Sequence, residues 1–439
     1  MENYICIHAH FYQPPRENPW LEAIEWQKSA HPYHDWNQRI TAECYQPNSM
    51  ARILDSSGRI DRILNNYSRI SFNFGPTLLS WLAGQDPATY AGILEADKES
   101  RARFSGHGST IAQAYNHTIL PLCNHRDKVT QIQWGIRDFS RRFGRMPESM
   151  WIPETAADLE TLDLMAQMGL QYAILAPHQA RRVRAKTDRT WVDIQNQDID
   201  PSRPYEICLP SGRRMAIFFY DGSISRAVGF EKLLRDGETF ASRLTSLFSA
   251  ARKWPQIVHI ATDGETYGHH HPFGEMALAY ALHAIESSGK ARLTNYGEFL
   301  EKHRPTHLVE IWDNKSWSCP HGVGRWSENC GCSTGVHPGW KQEWRAPLRK
   351  ALDWLRDRLG NTYEAGAAPL LKDPWAARND YVDVILDRSP ESVERFLAAH
   401  RIRELNAEER VRVLKLQELQ RHAMLMYTSC GWFFDDISR

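Results

Sequence analysis

The sequence predicts an α/β fold, a barrel of about seven (β/α) units over residues 1–339 followed by a helical domain over residues 340–439. Three observations carry this expectation. Seven short runs rich in β-branched and aromatic residues recur at 4–8, 70–74, 102–105, 149–152, 172–175, 215–219 and 257–261. Amphipathic stretches of helical period lie between most of them, as at 48–65, 128–143, 156–168 and 238–253, and such alternation implies crossover units and a parallel sheet. Beyond about residue 340 the strand signal fades, and helical stretches follow at 341–359, 376–386, 391–400 and 407–426. An open doubly wound sheet is the other arrangement such units allow, but no Gly-rich dinucleotide fingerprint follows the first strand.

Composition narrows the classes of function. The chain has 439 residues, 42% of them hydrophobic and 24% charged, enough to build a large core. Basic and acidic residues balance at 53 each and do not collect in runs, so no electrostatic footprint for nucleic acid is present. Apolar runs such as 215–220 fall far short of the roughly 18 residues of a membrane span, and the N-terminus lacks the pattern of a signal peptide, so a cytoplasmic location is expected. Eight cysteines spread over this length fit reduced thiols rather than a disulfide scaffold. The 16 Trp and 19 His stand out, because indole faces stack on sugar rings, although Trp is also common as plain core.

The first strand ends in His8-Ala-His10-Phe-Tyr-Gln13-Pro-Pro. Two histidines two apart in a strand share a face, and at the mouth of a barrel they either bind a polar ligand or metal or sit as satisfied core residues. Gly106-His107-Gly108 follows the third expected strand, and Asn116-His117-Thr-Ile-Leu-Pro-Leu comes after it. The fourth strand stops at Trp151-Ile-Pro153-Glu154, which sets a carboxylate where barrel catalysts stand; the alternative is an acid complementing the first turn of a helix. The seventh runs into Asp263-Gly-Glu265-Thr-Tyr-Gly-His269-His-His, two acids and a histidine cluster, which could equally be a capped polar loop. Residues 312–339 form a Cys- and Trp-rich loop with Trp317, Cys319, His321, Trp326, Cys330 and Cys332. Its cysteines and histidine are of zinc-ligand type, but the spacing is tighter than usual, so a Trp-lined binding loop is the preferred reading and no metal or other cofactor is assigned. No Walker A or H-E-x-x-H string is present. A pair of strand-end carboxylates, Glu154 and Asp263, remains, and two carboxylates suffice to cleave a glycosidic bond.

Together these strings resemble glycoside hydrolase family 57, the retaining, α-glucan-active family. His8-x-His10 with Gln13-Pro is similar to its first signature region, Asn116-His117-Thr-Ile-Leu-Pro-Leu to its second, Trp151-Ile-Pro153-Glu154 to its third and Asp263-x-Glu265-x-Tyr-Gly-His269 to its fourth. The Trp317–Trp326 loop resembles its fifth, and Ser429-Cys-Gly-Trp432-Phe-Phe its aromatic C-terminal segment. The resemblance implies a distorted (β/α)7 barrel with Glu154 as nucleophile and Asp263 as general acid/base. His8, His10, His107, His117 and His269, with Gln13, are expected to bind sugar hydroxyls, Glu265 to line the site by sharing the work of Asp263 or by supporting it through a hydrogen-bond network, and Trp151, Trp317, Trp326 and Trp432 to be stacking faces or cleft walls. The expected partner is an oligo- or polysaccharide. The dense Cys and Gly of the fifth region and the Gly106-His107-Gly108 string point to a divergent subgroup. The apolar C-terminal run is read as a docking tail or as a cut within a longer chain. Two other readings stay open: a metal-dependent carbohydrate deacetylase or mannosidase-like hydrolase using His8 and His10, and a carbohydrate-binding protein without catalysis.

Overall fold

A row of short parallel strands organises residues 3–293 in the computed structural model, which describes residues 2–195, 198–335 and 337–437. Strand Asn3–Phe11 pairs in parallel with Gln256–Asp263 on one side and with Ser71–Phe74 and Arg292–Leu293 on the other. Parallel bridges join Phe72 to Thr110 and Ser149 to Tyr172, the Ala112 amide donates to the Ser149 carbonyl, and Tyr172–Leu175 pairs in parallel with Arg214–Phe219. One backbone hydrogen bond, Asp221 N–H to His259 O at 2.8 Å, links the two ends of the row. This is the succession that a seven-stranded barrel requires. Its strands are buried on both faces and read as apolar runs, because a parallel sheet covered by crossovers leaves no wet side.

The chain packs as two compact units that interleave in sequence. The first is Met1–Ala112, Pro147–Trp151 and Gly169–Trp312; the second is Gln113–Met146, Ile152–Met168 and Asp313–Arg439. This division by packing does not follow the 339/340 line drawn on the sequence, because the long amphipathic helix His125–Phe143 and the helix Leu159–Gln167 belong to the second unit. That unit is helical to its end, with Arg345–Ala367, Pro374–Asp380, Val382–Leu386, Pro390–His400 and Ala407–Leu425. Its core joins Trp134 to Tyr363, Tyr381, Leu397 and Val413. Among the described residues no helix is long and apolar enough to cross a membrane.

Three expected elements are different. Of the helix expected over 48–65 only Asn48 and Ser49 are helical, and the rest forms a hairpin, Ala51–Leu54 with Ile60–Leu64, turned by Asp55-Ser-Ser-Gly58; the alternating burial of Ala51 and Ile53 is the strand period that a helical reading overlooked. Residues 102–105 are no strand: they close the helix Pro87–Arg103, whose last turn carries Arg101 and Arg103, and the strand position passes to residues 110–113. The helix expected over 238–253 stops at Thr245.

The second unit is pinned by a buried ion pair. The Arg378 guanidinium, 3% exposed, donates to Asp127 Oδ1 at 2.8 Å, to the Arg126 carbonyl at 2.7 Å and to Thr130 Oγ1 at 2.8 Å. Removing it leaves the buried Asp127 carboxylate without its counter-charge, which costs about 3–5 kcal/mol in comparable cases. Arg378→Ala is therefore expected to lower the melting temperature by several degrees, whereas Arg356→Ala, at a more exposed pair with Asp353 and Asp357, should barely move it in the same scan.

Candidate active site

In the first unit, the alternation of strand Asn3–Phe11 sends His8 and His10 to one face. His8 Nδ1 lies 2.9 Å from Ser71 Oγ, and His10 Nδ1 lies 2.9 Å from the Asn73 amide nitrogen. Both rings lie on the Trp151 indole, each with centroids 4.9 Å apart and tilts of 19° and 20°. Burial pushes the pKa of each down to about 3, so both rings are neutral near pH 7. His8 Nε2 is buried without a hydrogen-bond partner among the described residues. Asp263 ends the neighbouring strand, register-paired with His10, and is exposed where the rest of its strand is buried. Two residues on, Glu265 is buried, its Oε1 accepting from the Tyr45 hydroxyl at 2.6 Å and the Tyr12 amide at 2.9 Å. Burial raises its pKa to about 7. Gln13 Oε1 accepts from Arg16, and His269 Nδ1 meets Glu43 Oε2 at 2.5 Å with its ring edge-on to Trp36.

These buried groups set an acid limit on stability. His8, His10 and the equally buried His259 have folded pKa values near 3, against an ordinary 6.5, so unfolding takes up protons between those values and stability falls as pH drops through them. Glu265 works in the opposite sense, since a folded value near 7 against 4.5 makes stability fall as pH rises through that window. Three histidines against one carboxylate leave a net uptake of roughly two protons near pH 5, about 3 kcal/mol per pH unit. The melting temperature is expected to drop steadily from pH 6.5 to 4.5; a flat or rising profile would contradict the burial of these rings.

In the second unit, Glu154 stands on strained backbone. Its φ of 59° and that of Thr155 at 50° lie in the left-handed region that non-glycine residues avoid, and two such residues in succession persist only where the surroundings fix them. The fixing segment is 313–318, antiparallel to 154–159: Asn314 N–H donates to Ala157 O, Ala157 N–H to Lys315 O and Trp317 N–H to Glu154 O, at 2.9, 3.1 and 2.9 Å. This zipper delivers two side-chain donors to the carboxylate. Trp317 Nε1–H and Ser318 Oγ–H both donate to Oε2, at 2.8 and 2.7 Å, while Oε1 takes no hydrogen bond among the described residues. Burial raises the Glu154 pKa, opposed by these two donors and by the charge of Arg325. His117 also has a positive φ, 54°, and its Nδ1 lies 2.5 Å from Ser429 Oγ.

Several expected site residues have other work. The His107 ring is held between Glu148 and Glu301, each 2.9 Å away, and these pairings raise its pKa against the effect of burial. Its Gly-flanked position gave no sign of two carboxylates brought from elsewhere in the chain. Trp326 is not a stacking face but fully buried core beside Cys319 and Trp432, itself 3% exposed and stacked on Trp344. Trp151, 1% exposed, gives its face to His8 and His10. Sequence reasoning missed Ser318, Tyr45, Ser71 and Asn73 as site partners; only Ser318, between the singled-out Trp317 and Cys319, carried a signal.

The sequence model of glycosyl hydrolase family 57 matches residues 10–312, more than half of the chain. The chain belongs to glycosyl hydrolase family 57. Residues 340–439 match a domain of unknown function (DUF3536). Alpha-amylase 1 of Dictyoglomus thermophilum is 24% identical over 106 residues, 24% of this chain and 15% of the amylase, so the match spans well under two thirds of that relative. The exo-type maltose-forming amylase of Pyrococcus sp. ST04 shares the fold over 100% of this chain and 76% of its own, with a TM-score of 0.73 and 15% identity. The family 57 branching enzyme of Pyrococcus horikoshii matches over 98% and 97%, with a TM-score of 0.56 and 16% identity.

Proposed function

We propose that this family 57 chain is a retaining glycoside hydrolase or glucanotransferase acting on α-linked glucans, with Glu154 as nucleophile and Asp263 as general acid/base. The observation that carries the reading is the clasp on Glu154. Two neutral donors on Oε2 favour the ionised carboxylate despite its burial, and Oε1 stays open to attack the anomeric carbon. Asp263 donates its proton to the leaving oxygen. Once the glycosyl ester forms through Oε1, Oε2 becomes its carbonyl oxygen, and the Trp317 and Ser318 donors stabilise the carboxylate as it departs in the second step. A deprotonated Asp263 then activates water or a sugar hydroxyl, and the anomeric configuration is retained. Retention calls for carboxyl groups about 5–5.5 Å apart.

His8, with its unpartnered buried Nε2, and His10, Gln13, His117 and His269 are proposed as the polar lining that meets sugar hydroxyls, and Trp317 as the aromatic wall. Glu265 supports this lining through Tyr45 and Tyr12. A metal-dependent mechanism through His8 and His10 needs a third ligand. Among the described residues the one cluster of three or more metal-ligand groups lies elsewhere, at Cys319, His321, Cys330 and Cys332. Eight unbonded thiols fit a reducing, cytoplasmic location. The test is incubation with maltoheptaose beside a Glu154→Gln variant and a parallel sample in chelator. Shorter or redistributed chains that persist in chelator and vanish in the variant support the reading, and the product ladder separates hydrolysis from transfer. No change in any sample would overturn it for α-1,4-glucans.

A further inference from the structure

The loop beside the Glu154 clasp gathers four side chains that the reaction does not use. The Sγ atoms of Cys319, Cys330 and Cys332 and a ring nitrogen of His321 all lie within 4.8 Å of one another. Cys319 Sγ is 3.7 Å from Cys332 Sγ and 3.9 Å from Cys330 Sγ, and Cys332 Sγ is 3.5 Å from His321 Nδ1. A disulfide would need about 2.05 Å. These separations instead match the edges of a tetrahedron, since thiolates on a common ion at about 2.3 Å stand about 3.8 Å apart.

We propose that Cys319, His321, Cys330 and Cys332 bind a structural zinc ion. Three thiolates and one imidazole are soft and borderline ligands, a set for zinc rather than magnesium or calcium. Four protein ligands close the coordination sphere, which is the mark of a structural site. The tight chain spacing that argued against zinc is resolved by two glycines. Gly322 turns the chain at φ +89°, where a Cβ would lie 2.3 Å from the Asn314 carbonyl oxygen, and a Cβ on Gly324 would come 3.1 Å from the Cys330 Cβ. Charge supplies a second, independent argument. Three thiolates, a neutral imidazole and a divalent ion leave one net negative charge, and the fully buried Arg345 places Nη1 3.8 Å from Cys330 Sγ. Among the described residues Arg345 makes no ion pair with a carboxylate, and Nη2 meets only the carbonyls of Phe433 and Phe434. A thiolate ligand gives this buried cation its counter-charge. Cys319 is buried while His321 is exposed, so the ion has an entry path.

Cys319 directly follows Ser318 and Trp317, so the zinc would fix the donors to Glu154; this consequence rests on Glu154 as nucleophile, whereas metal binding does not. The test is zinc content of the full chain by elemental analysis, with release followed by a colorimetric chelator on titration with an organomercurial. One zinc per chain, released as thiols are blocked, is expected, with loss of that zinc in Cys332→Ser and His321→Ala but not in Cys208→Ser, an exposed cysteine outside the loop. Should the variants not fold, cobalt loading of the wild-type chain decides: thiolate-to-cobalt charge-transfer and tetrahedral ligand-field bands support the site, and their absence overturns it. Folded wild-type chain without zinc, zinc retained in Cys332→Ser, or a disulfide among the three cysteines found by mass spectrometry would each overturn it as well. In the zinc-free chain kcat on maltoheptaose is expected to fall together with the melting temperature, while zinc content alone judges the proposal.

Discussion

Glu154→Gln is expected to slow turnover of α-glucan by on the order of 10⁴-fold or more while leaving the melting temperature close to that of the parent chain. The amide keeps the volume and an oxygen able to accept from Trp317 and Ser318, so the clasp with segment 313–318 persists. What is lost is the proposed nucleophile. No glycosyl-enzyme forms, so even substrates with good leaving groups, which need no acid, should fail. Steady-state rates on maltoheptaose and on an activated aryl glucoside check this. Activity near that of the parent enzyme on either would remove Glu154 from the mechanism. The backbone strain at Glu154 and Thr155 is of a kind found where geometry is held for function, and it is fixed here by hydrogen bonds from a distant part of the chain.

Asp263→Ala carries the second-largest expected effect, and its signature differs. With a poor leaving group such as a glucan, loss of the acid should cost on the order of 10³-fold or more. With an activated aryl glucoside the first step needs little acid assistance, so the glycosyl-enzyme should form readily and accumulate, because nothing activates water in the second step. Azide, a nucleophile that needs no base, should then restore turnover and give a glycosyl azide of retained α configuration. Rescue with inverted configuration, or equal losses on both substrates, would contradict the assignment. Glu265→Gln provides the contrast. Its carboxylate is buried on Tyr45 and Tyr12, so the substitution is expected to weaken the site without the leaving-group dependence that marks an acid catalyst.

The sequence made the parallel strands legible because buried parallel strands are short continuous apolar runs, and six of the seven lie where their β-branched and aromatic residues stand. The seventh failed for a physical reason: Ala112–Gln113 is too short and polar to read, while the neighbouring 102–105 holds a buried Phe104 at the end of a helix. The hairpin at 51–64 was hidden by Ile53, Ile60 and Ile63, whose spacing suits a helix as well as two strands until Gly58 is taken as the turn. At the site, residues on one strand, such as His8 and His10, were legible from period alone. Partnerships assembled across the chain were not. Glu148 and Glu301 on His107, Tyr45 on Glu265 and the burial of Trp326 depend on contacts more than 40 positions apart or on the packing of the whole unit. The Cys and His quartet was visible as ligand types, but its tight spacing misled, because spacing rules describe regular knuckles and not a loop folded on two glycines.

The most direct test of the account is to trap the glycosyl-enzyme and find where the sugar sits. Asp263→Ala, incubated with an activated α-glucoside, quenched in acid and digested, should yield one peptide heavier by a single glycosyl unit. Fragmentation is expected to place that mass on Glu154. A glycosyl mass on Glu265 or any other residue, or a substrate consumed with inverted product and no labelled peptide, would contradict the central claim that Glu154 is the nucleophile of a retaining enzyme.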